Sequence, residues 1–305
     1  MENKIFDCVI IGAGPGGLTA GIYAGRAGLD AVIVDEKGIG GGQIAQTHQV
    51  DNYPGLPEVD GFELGQLFQN HAKQWNVNVK SGKVISLEDK GSTKLVVTTG
   101  GTLETRTVII ATGAVPRPLG LDGEERLRGS GVSYCATCDG AFYRNKVTAV
   151  IGGGDVALED AFYLSNLCRK VYLIHRRDGF RASETTVRAV REAENIEILT
   201  GYVVESIEGE NALEGIVIKN VADLGLTDLK IDGLFIAVGN IPVTGFTGDL
   251  IKKDEVGYIL AGEDCKTNVE GIFAAGDTRK KPLKQVVTAV ADGANAVYSL
   301  TEFLR

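Results

Sequence analysis

The sequence has no run of apolar residues approaching the roughly 18 needed to cross a bilayer, which excludes a membrane-spanning helix and a membrane partner. It also lacks a signal-peptide core. The apolar stretch after Met1 is short and passes directly into Gly12, so it reads as a first strand, not a targeting segment. Excess positive charge is missing too: 31 Lys and Arg stand against 40 Asp and Glu, for a net charge of -9. Such a surface repels phosphate backbones and excludes nucleic acid as a partner. Cysteine is sparse, and the five residues Cys8, Cys135, Cys138, Cys168 and Cys265 are too few and odd in number for a disulfide framework. These absences together lead to the expectation of a cytoplasmic protein. Histidine is scarcer still. His48, His71 and His175 complete no ligand set at zinc spacing with the cysteines, so no metal is expected.

What the sequence has in excess is glycine: 41 residues, about twice the usual share of roughly 7%. Several of them follow apolar runs. Residues 5–11 are apolar up to the glycines, a helix-like pattern follows through Leu18, Ile22 and Ala27, and Ala31-Val32-Ile33-Val34 closes a βαβ unit. Strands so uniformly apolar belong in a parallel sheet covered on both faces. The pattern returns at Val147–Ile151, glycines 152–154, a periodic stretch through Leu164 and Leu167, and Val171–Ile174. This is an internal repeat of a nucleotide-binding half.

The segment 38–60, rich in Gly and Pro, reads as a long functional loop. From Val77 to Ala111 the pattern is strand-like, with Gly100-Gly101 as a hairpin turn. Pro116 and Pro118 mark one connector, and Gly239 to Gly248 another. The tail beyond is too short for an independent domain and returns to the first. The expected architecture is α/β, with two Rossmann-like dinucleotide-binding domains, the second inserted into the first. Residues 1–115 and 246–305 form one domain and 116–245 the other.

Gly12-Ala13-Gly14-Pro15-Gly16-Gly17 lies between a strand and a helix, where glycines let backbone N–H groups reach a pyrophosphate. Asp35 closes the second strand 23 residues after Gly12 and can accept hydrogen bonds from ribose hydroxyls. The second unit reads Gly152-Gly153-Gly154-Asp155-Val156-Ala157, and the same 23-residue step from Gly152 reaches His175, followed by Arg176, Arg177 and, one helical turn on, Arg181. Arginines here form either a solvated charged face or the clamp for a 2′-phosphate, and the shared offset favours the clamp, hence NADP over NAD. One dinucleotide then donates hydride and the other is held permanently, a role that suits a flavin.

Cys135-Ala136-Thr137-Cys138 places two thiols within reach of a reversible disulfide. Half a zinc site and two inert thiols are the alternatives, and the first lacks partner ligands. Asp139 beside the pair is either a proton donor in thiol exchange or a plain turn acid. Cys8, Cys168 and Cys265 read as structural fillers. Near the C-terminus Val286, Val290, Ala294 and Val297 recur at helical spacing and are expected to face the core.

With these motifs in order, the sequence closely resembles low-molecular-weight bacterial thioredoxin reductase. The resemblance runs over nearly the whole chain: Gly12–Gly17, Gly41-Gly42-Gln43-Ile44, Asn52-Tyr53-Pro54-Gly55, Ala111-Thr112-Gly113, Cys135–Gly140, His175–Ala182 and Gly271–Asp277. It implies a homodimer with FAD in the discontinuous domain and NADPH in the inserted one. By that likeness Gly12, Gly14, Pro15, Gly17, Asp35 and Gly42 contact FAD, with Gln43 and Asn52 lining the flavin. Gly276 and Asp277 hold its ribityl and phosphate region, and Gln285 lies near the isoalloxazine. Val84, Ala111, Thr112, Gly113, Lys284 and Val286 complete the FAD set. NADPH falls to Gly152, Gly154, Asp155, His175, Arg176, Arg177 and Arg181.

The implied chemistry runs from NADPH through FAD to the Cys135–Cys138 disulfide, and then to thioredoxin or a thioredoxin-like protein. Cys138 faces the flavin, Cys135 attacks the partner and Asp139 is the general acid. The inserted domain rotates about its connectors so that nicotinamide and cysteines reach the same flavin in turn. Three positions depart from the family pattern: Val156 lacks the usual hydroxyl, Lys284 replaces an Arg, and Ala141 replaces a Phe, leaving Phe142. The alternative is a ferredoxin-dependent flavin thioredoxin reductase, against which the intact NADPH fingerprint argues.

Overall fold

The computed structural model describes residues 4–46, 50 and 52–305. His48 and part of the expected loop at 38–60 lie outside these residues. The chain divides into two compact units, Met1–Val115 with Ile241–Arg305, and Pro116–Asn240. Among the described residues the helices are α1 (Pro15–Arg26), α2 (Gly61–Gln74), α3 (Ala136–Asp139), α4 (Asp155–Ser165), α5 (Glu184–Glu192) and α6 (Val286–Leu304).

In the first unit the strand Ile5–Ile11 sits centrally, parallel to Ala31–Asp35 on one side and to Gly101–Ile110 on the other. Val79–Ser81 and Ile272–Ala274 add further parallel pairs. Lys94–Thr98 and Val84–Asp89 continue the sheet antiparallel. The hairpin turn is Thr99-Gly100, because Gly101 already pairs with Thr98. The apolar first strand is explained by burial on both faces. Cys8 and Ile10 enter the core with Leu18 and Leu300, while Val9 and Ile11 enter a second one with Ile251 and Ile272.

The second unit repeats the plan. Ile196–Thr200, Lys170–His175, Val147–Ile151, Gly233–Ile236 and Val132–Ser133 form a parallel sheet in that order. Residues of α4 and α5 cover one face, among them Leu158, Leu164 and Val190. On the other lies an antiparallel sheet of Tyr202–Glu208, Gly215–Asn220 and Leu226–Leu229, through Ile207, Ile216 and Ile218.

The second boundary falls after Asn240, five residues before the expected 245/246. Residues 241–245 are tied to the first unit by hydrogen bonds: the Val243 N–H donates to the Gly113 carbonyl at 3.0 Å, and the Thr112 hydroxyl donates to the Val243 carbonyl at 2.6 Å. Helix α6 also differs from expectation. Its buried side is Ala289, Asp292, Gly293, Ala296, Val297 and Leu300, so of the expected valine stripe only Val297 is fully in the core. The cause is close approach to α1: a Cβ on Gly293 would lie 2.3 Å from the Gly16 carbonyl oxygen. Only small residues fit such a crossing, and a stripe of valines does not.

On α4 the Asp160 carboxyl is pushed up to about 7, first by burial and then by the Glu159 charge beside it. A carboxyl raised on folding binds its proton more tightly in the folded chain, so its contribution holds at low pH and is lost as the pH rises through about 7. Asp160→Asn is therefore expected to raise the melting temperature at pH 8, for a gain on the order of 1–2 kcal/mol, and to leave it unchanged at pH 4. Scanning calorimetry at the two pH values checks this.

Candidate functional site

Gly12 and Gly17 of the first fingerprint each answer a backbone contact, and Gly14 leaves open space. Gly12 has φ +105°, and a Cβ there would lie 2.4 Å from the Ala111 carbonyl oxygen, while one on Gly17 would be 1.9 Å from the Gly12 oxygen. Gly14 caps α1 with no side chain on the helix N-terminus, and space around it is open to 4 Å. Pro15 begins α1, where its missing N–H costs nothing. An uncapped helix start behind an open glycine suits an anionic group such as a pyrophosphate.

Asp35 accepts the Ala13 N–H at 3.0 Å and the Lys37 N–H at 2.9 Å, and so pins the glycine turn. Each of its oxygens keeps a second lone pair for a ribose hydroxyl. The glycine run folds back onto the same turn. Gly41 donates to the Ala13 carbonyl at 2.8 Å, and a Cβ on Gly42 would meet the Gly14 Cα at 3.0 Å. Gln43 donates its amide to the Ala114 carbonyl, and the Asn52 amide donates to Gln285 Oε1 at 3.0 Å across 233 residues of chain. Gly113 approaches Gln43 as well. Val84 starts the edge strand and packs, partly buried, against the core that includes Val34.

Gly276, at φ +75°, turns the chain after the strand Ile272–Ala274. Asp277 follows, and its Oδ1 is buried without a well-formed hydrogen bond. The Lys281 ammonium stands 3.5 Å away as a long ion pair. Burial pushes this carboxyl up and Lys281 pulls it down. An orphaned acceptor at the mouth of the cradle fits a ligand bearing hydroxyl donors. Lys284 lies over the Tyr258 ring at 4.2 Å, and Val286 begins α6 behind its Gln285 cap. Gly12, Asp35, Ala111 to Gly113 and Gly276 thus lie at the carboxyl ends of parallel strands, where such sheets bind ligands.

In the second unit Gly152 has φ +157°, and a Cβ there would lie 2.5 Å from both Ala157 Cβ and the Ala237 carbonyl oxygen, so this position admits only glycine. Gly154 caps α4 without a side chain on the helix start, and Asp155 accepts the Ser183 N–H at 2.8 Å. His175 is buried beneath Gly153, stacks on Phe180 at 5.6 Å and leaves Nε2 without a partner. Burial lowers its pKa, a backbone bond at Gly179 opposes this, and the charges of Arg177, Arg176 and Arg181 lower it further. Arg176, Arg177 and Arg181 are exposed. Residues 176–183 are not helical, contrary to the expected helical turn before Arg181. Arg181 is instead brought back by its N–H, which donates to the Gly153 carbonyl at 2.7 Å. The arrangement is an open glycine turn with three exposed arginines in the chain that returns to it, which fits a phosphorylated ribose.

The cysteine pair lies in the same unit, just past the short edge strand Val132–Ser133. Cys135 and Cys138 form a disulfide with Cα atoms 5.3 Å apart. Cys135 caps α3, and its Sγ accepts the Cys138 N–H at 3.2 Å. Asp139 is not a loose turn acid: the Ser133 hydroxyl donates to its Oδ2 at 2.6 Å and accepts the Cys135 N–H at 3.1 Å. Ser133 escaped the sequence reading because a serine six residues before an acid carries no motif. The other three cysteines are buried. Burial pushes the Cys8 and Cys265 thiols up to about 12 and raises that of Cys168. Such thiols stay protonated and unreactive. Cys168→Ser is expected to keep turnover within about threefold of the parent, whereas an enzyme without turnover would overturn the filler assignment.

Residues 6–293 match the pyridine nucleotide-disulphide oxidoreductase family. A thioredoxin reductase of Helicobacter pylori is 44% identical over 308 residues, covering 98% of this chain and 99% of that one. This chain belongs to the thioredoxin reductase family. A Listeria monocytogenes thioredoxin reductase is 42% identical, covering 96% of this chain and 92% of its own. The crystal structure of thioredoxin reductase from Streptococcus pyogenes matches at 40% identity with a TM-score of 0.87, over 99% of both chains. A ferredoxin-flavin thioredoxin reductase from Clostridium acetobutylicum is more distant, at 27% identity and a TM-score of 0.53, over 98% of both chains. Thioredoxin reductases of this family use FAD and NADPH, and both cradles described above fit these groups. Among the described residues no helix is long and apolar enough to cross a membrane, and no cluster of His, Cys, Asp and Glu could hold a metal ion.

Proposed function

We propose that this chain is a thioredoxin-disulfide reductase, in which electrons pass from NADPH through FAD and the Cys135–Cys138 disulfide to thioredoxin or a thioredoxin-like protein. The observation that carries this reading is the Cys135–Cys138 disulfide at the start of α3, in the same unit as an open glycine turn and three exposed arginines. Bound NADPH and FAD supply hydride and two-electron chemistry. The chain's own residues do the rest. Gly12, Gly14, Pro15, Gly17 and Gly42 leave room for the FAD pyrophosphate, and Asp35 and Asp277 accept from its hydroxyls. Gln43, Asn52, Ala111, Thr112, Gly113, Lys284, Gln285, Val286 and Val84 surround the flavin end. Gly152, Gly154 and Asp155 seat the NADPH pyrophosphate, with His175 and the three arginines on the phosphorylated ribose.

Two electrons and two protons convert the Cys135–Cys138 disulfide to two thiols. Cys135 gives its proton to Asp139 and, as the thiolate, attacks one sulfur of the partner disulfide, forming a mixed disulfide and expelling a thiolate that takes that proton from Asp139. Cys138 attacks Cys135 Sγ, re-forms the internal disulfide and releases the second partner thiol. Ser133 keeps Asp139 beside the pair for this proton transfer. Because the nicotinamide and the cysteines both belong to the unit 116–240, the segments Ala114–Pro116 and Asn240–Pro242, which pair as a two-stranded ribbon, serve as the hinge.

The test is an anaerobic titration of the purified protein with NADPH, then with oxidised thioredoxin, following flavin absorbance. Bleaching by NADPH and recovery on adding thioredoxin is the expected result. No bleaching by NADPH but reduction by ferredoxin would replace this reading with the ferredoxin-dependent one. Two copies are expected to pair, a reading supported by the exposed Tyr23, Phe62 and Tyr298 on α1, α2 and α6. The free cysteines favour the cytoplasm.

Val156, at the second position of α4, is 62% exposed and gives the pyrophosphate no hydroxyl. Val156→Ser is expected to lower KM for NADPH about fivefold with kcat unchanged, as one added hydrogen bond would. Steady-state kinetics in NADPH check this.

A further inference from the structure

The turn that carries Gly276 and Asp277 is held by a buried ionic cluster that lies outside the cofactor contacts described above. Its centre is the carboxylate of Asp292 on α6, 2% exposed. Asp292 Oδ2 accepts the Gly276 N–H at 2.9 Å, Arg279 Nε at 2.9 Å and Lys281 Nζ at 3.0 Å, and Oδ1 accepts Arg279 Nη2 at 2.7 Å. Lys281 is buried as well. Its ammonium touches Asp292, stands 3.5 Å from Asp277 Oδ1, and donates to Thr288 Oγ1 at 3.3 Å. That hydroxyl accepts the Gln285 N–H at 3.1 Å and closes the capping box of α6. One ammonium therefore links the Gly276–Asp277 turn to the start of α6.

The placement of the cluster is also fixed from the other side. Gly293, next to Asp292, is where α6 crosses α1 so closely that no Cβ fits against the Gly16 carbonyl. A buried ion network of this kind contributes little net stability, since desolvation offsets most of the attraction. What it gives is geometry. Asp292 is satisfied by four donors, whereas the nearby Asp277 Oδ1 is left without a hydrogen bond although a cation stands beside it.

We propose that Asp292 and Lys281 are positioning residues for FAD: Asp292 fixes the backbone turn at Gly276, and Lys281 sets its charge against Asp277 while leaving Oδ1 for a hydroxyl of the cofactor. This rests on the reading that FAD occupies the first unit. The cluster acts on the flavin through the turn and through the cap of α6, without touching it.

The test uses the full chain with Lys281→Met, Lys281→Arg and Asp292→Asn. FAD dissociation constants are read from flavin fluorescence on reconstitution, and melting temperatures from the FAD-free proteins. Lys281→Met is expected to weaken FAD about tenfold and, because Arg279 and the Gly276 N–H still pair Asp292, to leave the FAD-free protein folded with a lower melting temperature, and Lys281→Arg to restore binding to within about threefold. Asp292→Asn is expected to weaken FAD further. Should that variant not fold, the Lys281 pair still decides. FAD binding by Lys281→Met within about twofold of the parent overturns the inference alone. Equal losses in Lys281→Met and Lys281→Arg mark packing in place of charge and overturn it too. A parent chain that takes up no FAD overturns the cofactor reading and this inference with it.

Discussion

Replacing Cys138 by Ser is expected to leave reduction of the bound flavin by NADPH intact and to bring thioredoxin reduction to background, a loss of at least roughly 10³-fold. With Cys138 gone, no disulfide forms with Cys135, so electrons reaching the flavin have no exit to a protein disulfide. The remaining cysteines offer no bypass, because Cys8, Cys168 and Cys265 are buried. Cys135→Ser should give the same block, but it leaves a thiol at 138 without its attacking partner. Stopped-flow bleaching of the flavin and steady-state thioredoxin reduction separate the two half-reactions. Thioredoxin turnover above one-tenth of the parent in either variant would refute the disulfide relay.

The second large effect concerns the arginines. The triple change Arg176→Ala, Arg177→Ala and Arg181→Ala is expected to raise KM for NADPH on the order of 10²–10³-fold and to change KM for NADH little. Hydrogen bonds to charged groups contribute about 1.5–3 kcal/mol each, and three acting on one phosphate do not add fully. The backbone N–H of Arg181 survives the substitution, so the Gly153 contact and the loop should persist. The parent's KM for NADPH should also rise with added salt and the variant's should not, because exposed charges are screened. Equal losses for NADPH and NADH would remove the 2′-phosphate from the argument.

Much of the cradle geometry was legible in the sequence because it depends on local spacing. The strand Ile5–Ile11, the glycine turn, α1 and Asp35 follow one another within a single βαβ unit, and the second copy repeats them. A strand buried on both faces must be apolar throughout, and a backbone approaching a phosphate must be glycine. Helix α2 left a weaker trace. Its apolar Phe62 and Leu67 are exposed, while its buried face includes Gly65 and Gln69 against the Gly40–Gly41 loop. Helix α6 left a misleading one, since its valine stripe lies largely beside the true contact face.

Charge was the least readable property. Arg279, Lys281 and Asp292 look in the sequence like ordinary surface residues, and only packing shows that all three are buried around one turn. The bond from Ser133 to Asp139 and that from Asn52 to Gln285 likewise depend on where the chain returns.

By itself the sequence determined the α/β class, the two glycine cradles, the redox CxxC and the arginines that suit a 2′-phosphate, because periodicity and short spacings are set by local backbone geometry. Only the tertiary structure decided which face of α6 is buried, how Arg181 returns to its glycine loop, and which charges lie inside. Those depend on the burial of residues far apart in the chain, and burial is a property of packing that no local pattern encodes.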